Sequence, residues 1–365
     1  MNGSVLQSGG SQSFDVAVVG GGPAGAICAF MLARGGACVS LVHWDGYSIG
    51  GIELVSGRAR RTIEQYCPDF FRRVAPGLEV HETISLWGTP EPVTLSAMFN
   101  PWGAGVALER ELLDRALRSL ASAAGVSVVA GTKVMDIERR GDRWHLSLRS
   151  ENAESDPLCA RFVVLATGRA AARFFDQVPM AESSQIALMT SLSPQPGIRD
   201  YALYVEAVDN GWWYALPIMD GGYFAGFCTS REAVKRRHAS LRYFFFEELY
   251  RTRLLAPLIS SAQGKTCNLR DTRNPRITGR MAGTRSFSKA TGDGWIAIGD
   301  AAYAPDPLSG MGIEVAIESA QLGARALLGA IQGETQHEAF AEYEDSVRTR
   351  TRRHDKTAAY HYGGF

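Results

Sequence analysis

The sequence predicts an α/β fold in which a doubly wound parallel sheet carries an inserted antiparallel sheet. Three observations carry that expectation. The apolar run Phe14–Val19 passes through a glycine-rich turn into a helical pattern and then a second apolar run. A strand–loop–helix unit with glycines at its turn recurs near residue 300. Between about residues 180 and 285 the pattern changes to short alternating strands separated by turn residues.

At 365 residues the chain exceeds what one simple core usually covers, so two closely joined domains are expected. Residues 1–13, mostly Gly, Ser and Gln, read as a disordered tail outside the fold. Residues 14–78, 101–178 and 286–333 form the parallel-sheet domain, discontinuous in sequence. Residues 79–100 and 179–285 form the second domain, and 334–365 a C-terminal helical segment. Hydrophobic residues at 45% and charged residues at 21% fit a soluble globular chain. Lys plus Arg equals Asp plus Glu at 38 each, so charge offers no case for nucleic acid or an anionic membrane as partner. No apolar run approaches the ~18 residues of a bilayer span. Cys28, Cys38, Cys67, Cys159, Cys228 and Cys267 form no C-x-x-C pair, which fits reduced thiols in a cytoplasmic protein. The histidines form no metal-spaced cluster, so no metal is expected.

The first strand runs into Gly20-Gly21-Gly22-Pro23-Ala24-Gly25. A helix over Ala26–Arg34 follows, then the strand Val39–His43. Gly20 suits the tight turn, Gly22 lets a pyrophosphate approach the backbone, and Gly25 lets the helix pack close to the sheet. The free N–H groups at the start of the helix, with Pro23 and Ala24, attract phosphate. This placement predicts dinucleotide binding. The acid expected at the end of the second strand, for the ribose hydroxyls, is missing. Either His43 stands in its place or Asp45 reaches back.

In the second unit, Gly294–Ile298 is a buried strand leading to Gly299 and Asp300. A loop with Pro305 and Pro307 follows, and Gly310-Met311-Gly312 opens a helix over Ile313–Ile331. This run resembles the second FAD signature of the flavoprotein superfamily of aromatic hydroxylases, geranylgeranyl reductases and flavin-dependent halogenases. The resemblance implies an FAD-binding Rossmann-like domain of the glutathione-reductase type with an inserted antiparallel β-sheet substrate domain. It implies that Asp300 binds the ribityl chain and that Pro307–Gly312 passes beside the isoalloxazine ring. Leu108–Leu117 resembles the helix of that family whose leading arginine, here Arg110, lies by the cofactor. Phe162–Arg169 resembles its strand ending in A-T-G, with Gly168 as the glycine. The Asp-Gly common near this point in NADPH-reacting hydroxylases is absent. NADPH, NADH or a separate flavin reductase are the expected sources of electrons.

In the substrate half, Gly211-Trp212-Trp213-Tyr214-Ala215-Leu216-Pro217 resembles a stretch of tryptophan halogenases. Alternation puts Trp212 and Tyr214 on one face and Trp213 on the other. Trp87, Trp212, Trp213 and Pro217 are the expected substrate pocket. The halogenase lysine is replaced by Thr83 and its glutamate by Ser309, so halogenation is not the first reading. Over most of the chain the match is to short flavoproteins that hydroxylate a tryptophan side chain on a peptide or protein. Its supporting pieces are Ile49–Leu54, Leu86–Gly88, Asn100–Gly103, Trp212–Pro217 and Asp306–Gly310. The resemblance implies dioxygen as co-substrate and oxygen transfer from a flavin C4a-hydroperoxide to an aromatic carbon of a small molecule or a tryptophan-containing peptide or protein. Cofactor maturation or natural-product biosynthesis would be its setting. Glu53 is the expected base, with Tyr214 and Ser309 orienting substrate. Halogenase, isoprenoid-type reductase and non-catalytic partner-binding flavoprotein are the alternatives.

Overall fold

In the computed structural model the described residues are 13–44, 50–150, 153–175, 177–197, 201–219, 221–236, 240–259 and 276–362. The strand Ser13–Val19 lies at the centre of a parallel sheet, between Glu154–Leu165 and Val39–Val42. Ser127–Val129 extends one side and Trp295–Ala297 the other, both in parallel. The apolar runs are continuous because both faces of this sheet are covered. Val16, Ala17 and Val18 are fully buried, as are Val163, Val164 and Leu165 beside them. The helices Pro23–Arg34, Arg110–Ala123 and Gly312–Gln332 share the core with these strands. An antiparallel meander, Thr132–Arg140 and Arg143–Ser150, leads into Glu154–Leu165.

The second sheet has seven strands. Their order is Thr278–Met281, Gln185–Leu192, Gly222–Ser230, Gly211–Ile218, Ala202–Val208, Glu82–Leu86 and Val93–Ser96. The strands Gln185–Leu192, Ala202–Val208 and Gly211–Ile218 carry the alternation that the sequence predicts between about residues 180 and 285. The sheet is antiparallel except at one joint, where Ala202–Val208 runs parallel to Glu82–Leu86. A parallel neighbour requires a long crossover, which the chain between residues 86 and 202 supplies by passing through the other domain. The basic and aromatic stretch Arg231–Arg251 contains two described helices, Arg231–Arg236 and Leu241–Leu249.

Period-two alternation separates the two faces of this sheet. One face packs on Phe244, Phe245 and Leu249 of the second helix. Trp213 belongs to that face. It is fully buried, stacked on Phe227 at 4.6 Å and edge-on to Phe245 at 4.8 Å. Pro217, two pairs of residues further on and paired with Tyr223 of the same cluster, alternates onto this side as well. Both were expected in the substrate pocket, and both lie instead in the core between sheet and helix. Trp213→Ala is expected to cost about 3–5 kcal/mol in urea unfolding. Trp213→Phe is expected to cost far less, because the indole N–H is buried without a partner among the described residues and phenylalanine leaves no such group.

The C-terminal helical segment is one helix, Gln336–Tyr362. It lies over the parallel-sheet domain. Tyr343 is buried and its hydroxyl donates to Ala297 O at 2.7 Å. Glu344 Oε2 accepts from Ala290 N at 2.8 Å and Thr291 Oγ1 at 3.1 Å. Cys28, Cys159 and Cys228 are buried free thiols, Cys38 is an exposed one, and Cys267 lies outside the described residues. Among the described residues no helix is long and apolar enough to cross a membrane, and no group of side chains could hold a metal.

Candidate active site

The glycine turn forms as its sequence requires. Gly20 has φ +113°, and a Cβ there would stand 2.3 Å from Ala166 O. A Cβ on Gly25 would stand 1.9 Å from Gly20 O, so helix, turn and strand pack without side chains between them. Gly22 differs. It caps the helix with extended backbone, Pro23 follows at the first helical position, and a Cβ on Gly22 would approach only Arg110 Nη2, at 3.7 Å. Its open side faces the cleft. Thr167, after the strand Glu154–Leu165, has a buried Oγ1 with no partner among the described residues. His43 is 6% exposed, and a side chain on Gly21 would strike both its Cβ and Arg118 Cδ, each at 2.7 Å. Asp45 lies outside the described residues.

The second motif meets the first across the sheet. Gly299 has φ +58° and packs against Ala24, and its N–H donates to Ser319 Oγ at 2.7 Å. Gly168 opens a short helix with φ +60° and free space where a Cβ would stand. Asp300 stands deep in the cleft with 37% of its side chain open to it. Burial raises its pKa, while Arg169, 3.7 Å away, and then Arg110 pull it back. Arg169 is itself held by the carbonyls of Gly283 and Ala282. The loop after Asp300 forms a single turn, Pro307–Ser309, capped by Asp306, whose carboxylate accepts from Leu308 N at 2.9 Å. Gly310 follows with φ +59°, and Met311 caps the long helix that Gly312 begins. Nothing lies within 4 Å of a Cβ on Gly310 or Gly312. Ser309 Oγ accepts from Met311 N at 3.3 Å.

A raised carboxyl pKa has a stability consequence. Asp300 has a folded-state value above its unfolded value near 3.8. It therefore favours folding at pH below that value, and this contribution is lost as pH rises through the folded value. At neutral pH Asp300→Asn is expected to raise the melting temperature of the FAD-free protein while weakening FAD retention. Calorimetry of the apo variant checks the first half, and a lower melting temperature would contradict it.

Glu53 and Arg110, expected in separate roles, form one pair. Glu53 is on the strand Ile52–Val55 and Arg110 begins a helix after the adjacent strand Gly105–Glu109. Arg110 Nη1 donates to Glu53 Oε1 at 2.9 Å, and Arg110 Nε to Asp114 Oδ1 at 2.9 Å. The two carboxylates hold the guanidinium firmly charged, against the cost of its burial. Asp114 is nonetheless raised, because its own desolvation outweighs the pull of Arg110 and Arg118. Arg118 Nη1 donates to Gly21 O at 3.2 Å, which ties this helix to the first turn.

The sheet wall opposite is aromatic. Trp87 and Trp212 have ring centroids 6.1 Å apart, and Trp212 and Tyr214 6.0 Å. Leu308 of the second motif packs against the same cluster, which places these rings beside the loop that opens the long helix. Tyr214 fits because Gly226 faces it on the next strand, where a Cβ would lie 2.2 Å from the ring. Burial raises the Tyr214 hydroxyl pKa, with Cys228 and Glu53 adding to the rise. Ser56, which accepts from Ala59 N, donates to Glu314 Oε2 at 2.6 Å, and Arg58 pairs with the same carboxylate at 3.1 Å.

Of the expected site residues, the structure brings Gly22 beside Arg110 and Arg110 onto Glu53, with Asp300 within electrostatic reach of both. Trp87, Trp212 and Tyr214 form one cluster, against which Leu308 packs. Sequence reasoning missed Arg169, Arg118 and Arg280. Arg169 carried a signal, being the charged residue directly after the strand-ending glycine. The other two carried none, since their roles come from contacts distant in sequence.

Two glycine turns at parallel-strand ends, with open helix N-termini and the partly open acid Asp300, are built for a dinucleotide. Gly22, Gly310 and Gly312 would hold its phosphates and ring, and Asp300 its polyol chain. A protein-family model of FAD dependent oxidoreductases matches residues 15–205, and the chain belongs to that family. It is an FAD-dependent oxidoreductase. The FAD-dependent oxidoreductase LodB of Marinomonas mediterranea is 24% identical, with 87% of this chain and 85% of LodB covered. Digeranylgeranylglycerophospholipid reductases, those of Methanosphaera stadtmanae and Methanoculleus marisnigri among them, are 24% and 26% identical. Their alignments cover 91% and 92% of this chain and 82% of each reductase. Among solved structures, the myxobacterial chondrochloren halogenase CndH superposes with TM-score 0.79 at 24% identity, covering 92% of this chain and 79% of its own. The peptidyl tryptophan dihydroxylase QhpG superposes with TM-score 0.70 at 23% identity, covering 97% and 76%. These superpositions establish the shared fold, a Rossmann-like FAD-binding domain with an added sheet domain.

Proposed function

We propose that the protein is a monooxygenase that hydroxylates an electron-rich aromatic ring, an indole on a peptide or protein being the favoured acceptor. The observation that carries this reading is the aromatic cluster Trp87–Trp212–Tyr214, against which both Leu308 and Ile52, the neighbour of Glu53, pack. Similarity in fold to a peptidyl tryptophan dihydroxylase supports it. Bound FAD would supply two-electron chemistry and the activation of dioxygen. NADPH or NADH, directly or through a reductase, would supply the electrons. The balance is one aromatic C–H, one dioxygen, one reduced nicotinamide and one proton giving C–OH, water and oxidised nicotinamide.

The chain's own residues have defined parts. Trp87, which is partly exposed, offers a face on which an indole stacks, and the buried Trp212 backs it and excludes water. Tyr214, kept protonated by burial, donates a hydrogen bond to the acceptor. Glu53 uses Oε1 for Arg110, while Oε2 has no hydrogen bond among the described residues. That oxygen takes the proton released when the ring rearomatises. Thr83 lies on the same face of the sheet and offers no amine, which sets this wall apart from a lysine-bearing one.

The test is anaerobic reduction of the FAD-loaded protein with NADPH, NADH or a flavin reductase, followed by aerobic turnover with an N-acetylated, amidated tryptophan peptide. A peptide mass gain of one oxygen, lost in Glu53→Gln, is the expected result. Peroxide release without any oxidised indole, under every reductant, would refute the reading.

A further inference from the structure

We propose that Arg280 is a carboxylate anchor, so that the substrate is an aromatic group carrying a carboxylate a few bonds away. This rests on the aromatic reading above and adds to it a second point of recognition. Arg280 lies on Thr278–Met281, the edge strand of the seven-stranded sheet, paired with Ala187. Directly opposed residues share a face. Ala187 belongs to the buried cluster of Trp212, Phe224 and Cys228, so Arg280 stands on the cleft side of the sheet. One cross-strand row runs Arg280, Ala187, Cys228, Trp212. Two small side chains thus separate the guanidinium's strand from the aromatic wall. The three intervening strand spacings amount to roughly 14 Å between backbones. The arginine spans part of that distance, and a ring with a short acidic arm spans the rest.

The charges of the cleft point the same way. Arg110 is matched by Glu53 and Asp114, Arg169 faces Asp300, and Arg58 is matched by Glu314 and Glu318. Arg280 has no carboxylate within ion-pair distance among the described residues. Its one hydrogen bond to them is from Nη2 to Gly50 O, at 3.1 Å. That bond directs the guanidinium toward Gly51, where a Cβ would meet the Phe224 ring at 2.8 Å and whose carbonyl accepts from Arg110 N. The remaining donors form a planar fork suited to a carboxylate. Burial lowers the pKa of this arginine, Glu53 and Tyr214 support its charge, and Arg110 opposes it. A cation in this setting gains from an anion that arrives with the ligand.

The carboxylate has two sources, the acceptor's own amino-acid carboxylate or an acidic residue beside it in a peptide. The test titrates FAD-loaded protein with small probes and reads the perturbation of the flavin spectrum, with no turnover required. Indole-3-propionate is expected to bind about 10-fold or more tighter than indole, as charge-assisted hydrogen bonds warrant. Arg280→Gln is expected to abolish that preference while keeping indole affinity and FAD. N-acetyltryptophan binding better than its amide identifies the first source. An amidated Trp-Glu peptide binding better than Trp-Gln identifies the second. Equal binding of indole and indole-3-propionate by the wild type, or an intact preference in Arg280→Gln, overturns the assignment and leaves the aromatic reading standing. Benzoate separates the opposite failure. Binding of benzoate that depends on Arg280, without binding of any indole, keeps the anchor and overturns the indole acceptor.

Discussion

Gly22→Ala yields a folded protein that no longer retains FAD. The residue's backbone is extended, at φ −76° and ψ −175°, so alanine adopts it without strain. Among the described residues, the new methyl would come no closer than 3.7 Å to any atom outside its neighbours. The folding cost is therefore that of a poorer helix cap, about 1 kcal/mol or less. The methyl occupies the side from which a pyrophosphate must approach the helix N-terminus. Each charge-assisted hydrogen bond withdrawn is worth about 1.5–3 kcal/mol, a loss of ~10- to 100-fold in affinity or more. The same substitution at Gly20 or Gly25 is expected to behave differently, because there the Cβ meets backbone at 2.3 Å and 1.9 Å. Those variants lose folded protein along with FAD. Melting curves of the apo proteins, set beside FAD content after gel filtration, distinguish the two behaviours. A Gly22→Ala protein with full FAD content would remove this turn from the cofactor site.

Arg110→Met produces the largest loss of stability expected from a single charge in the cleft, about 3–5 kcal/mol at neutral pH. The substitution fills the space but leaves Glu53 and Asp114 facing each other without the cation between them. The loss depends on pH in a defined direction. Burial already raises Asp114 above its unfolded value near 3.8, and Arg110 is the main group holding it down. Without the arginine the folded value rises further. An acid with a raised folded value favours folding at pH below its unfolded value, and that contribution is lost as pH rises through the folded value. The deficit of Arg110→Met relative to the wild type is therefore expected to shrink toward pH 4 and to grow toward pH 8. Urea unfolding at the two pH values measures it. A deficit independent of pH would mean that packing, and not charge, is what Arg110 contributes.

The two cofactor turns were legible in the sequence because they are local. Backbone sterics at Gly20 and Gly25, the Pro23 start of the helix, and the acid at Asp300 act over a few residues. No distant part of the chain has to be known to read them. The strands of the substrate sheet were legible for the same reason, since alternation has a fixed period. That period also separates Trp213 and Pro217 from Trp212 and Tyr214. Which of the two faces meets the cleft is a matter of packing. It is settled by the helix Leu241–Leu249 covering one face and by Leu308 closing on the other.

By itself, then, the sequence determined that this chain carries a two-turn FAD domain with an inserted sheet, and it marked the residues lining both turns. Only the tertiary structure decided which charges share the cleft. Glu53 and Arg110 are 57 positions apart and pair at 2.9 Å. Arg169 meets Asp300 across the junction of the two motifs. Arg280 reaches Gly50 from 230 positions away. Electrostatic interactions depend on distance in space and on exclusion of water, and neither quantity is carried by spacing along the chain. The same holds for the parallel joint between Ala202–Val208 and Glu82–Leu86, where strand direction follows from the route of the chain through the other domain.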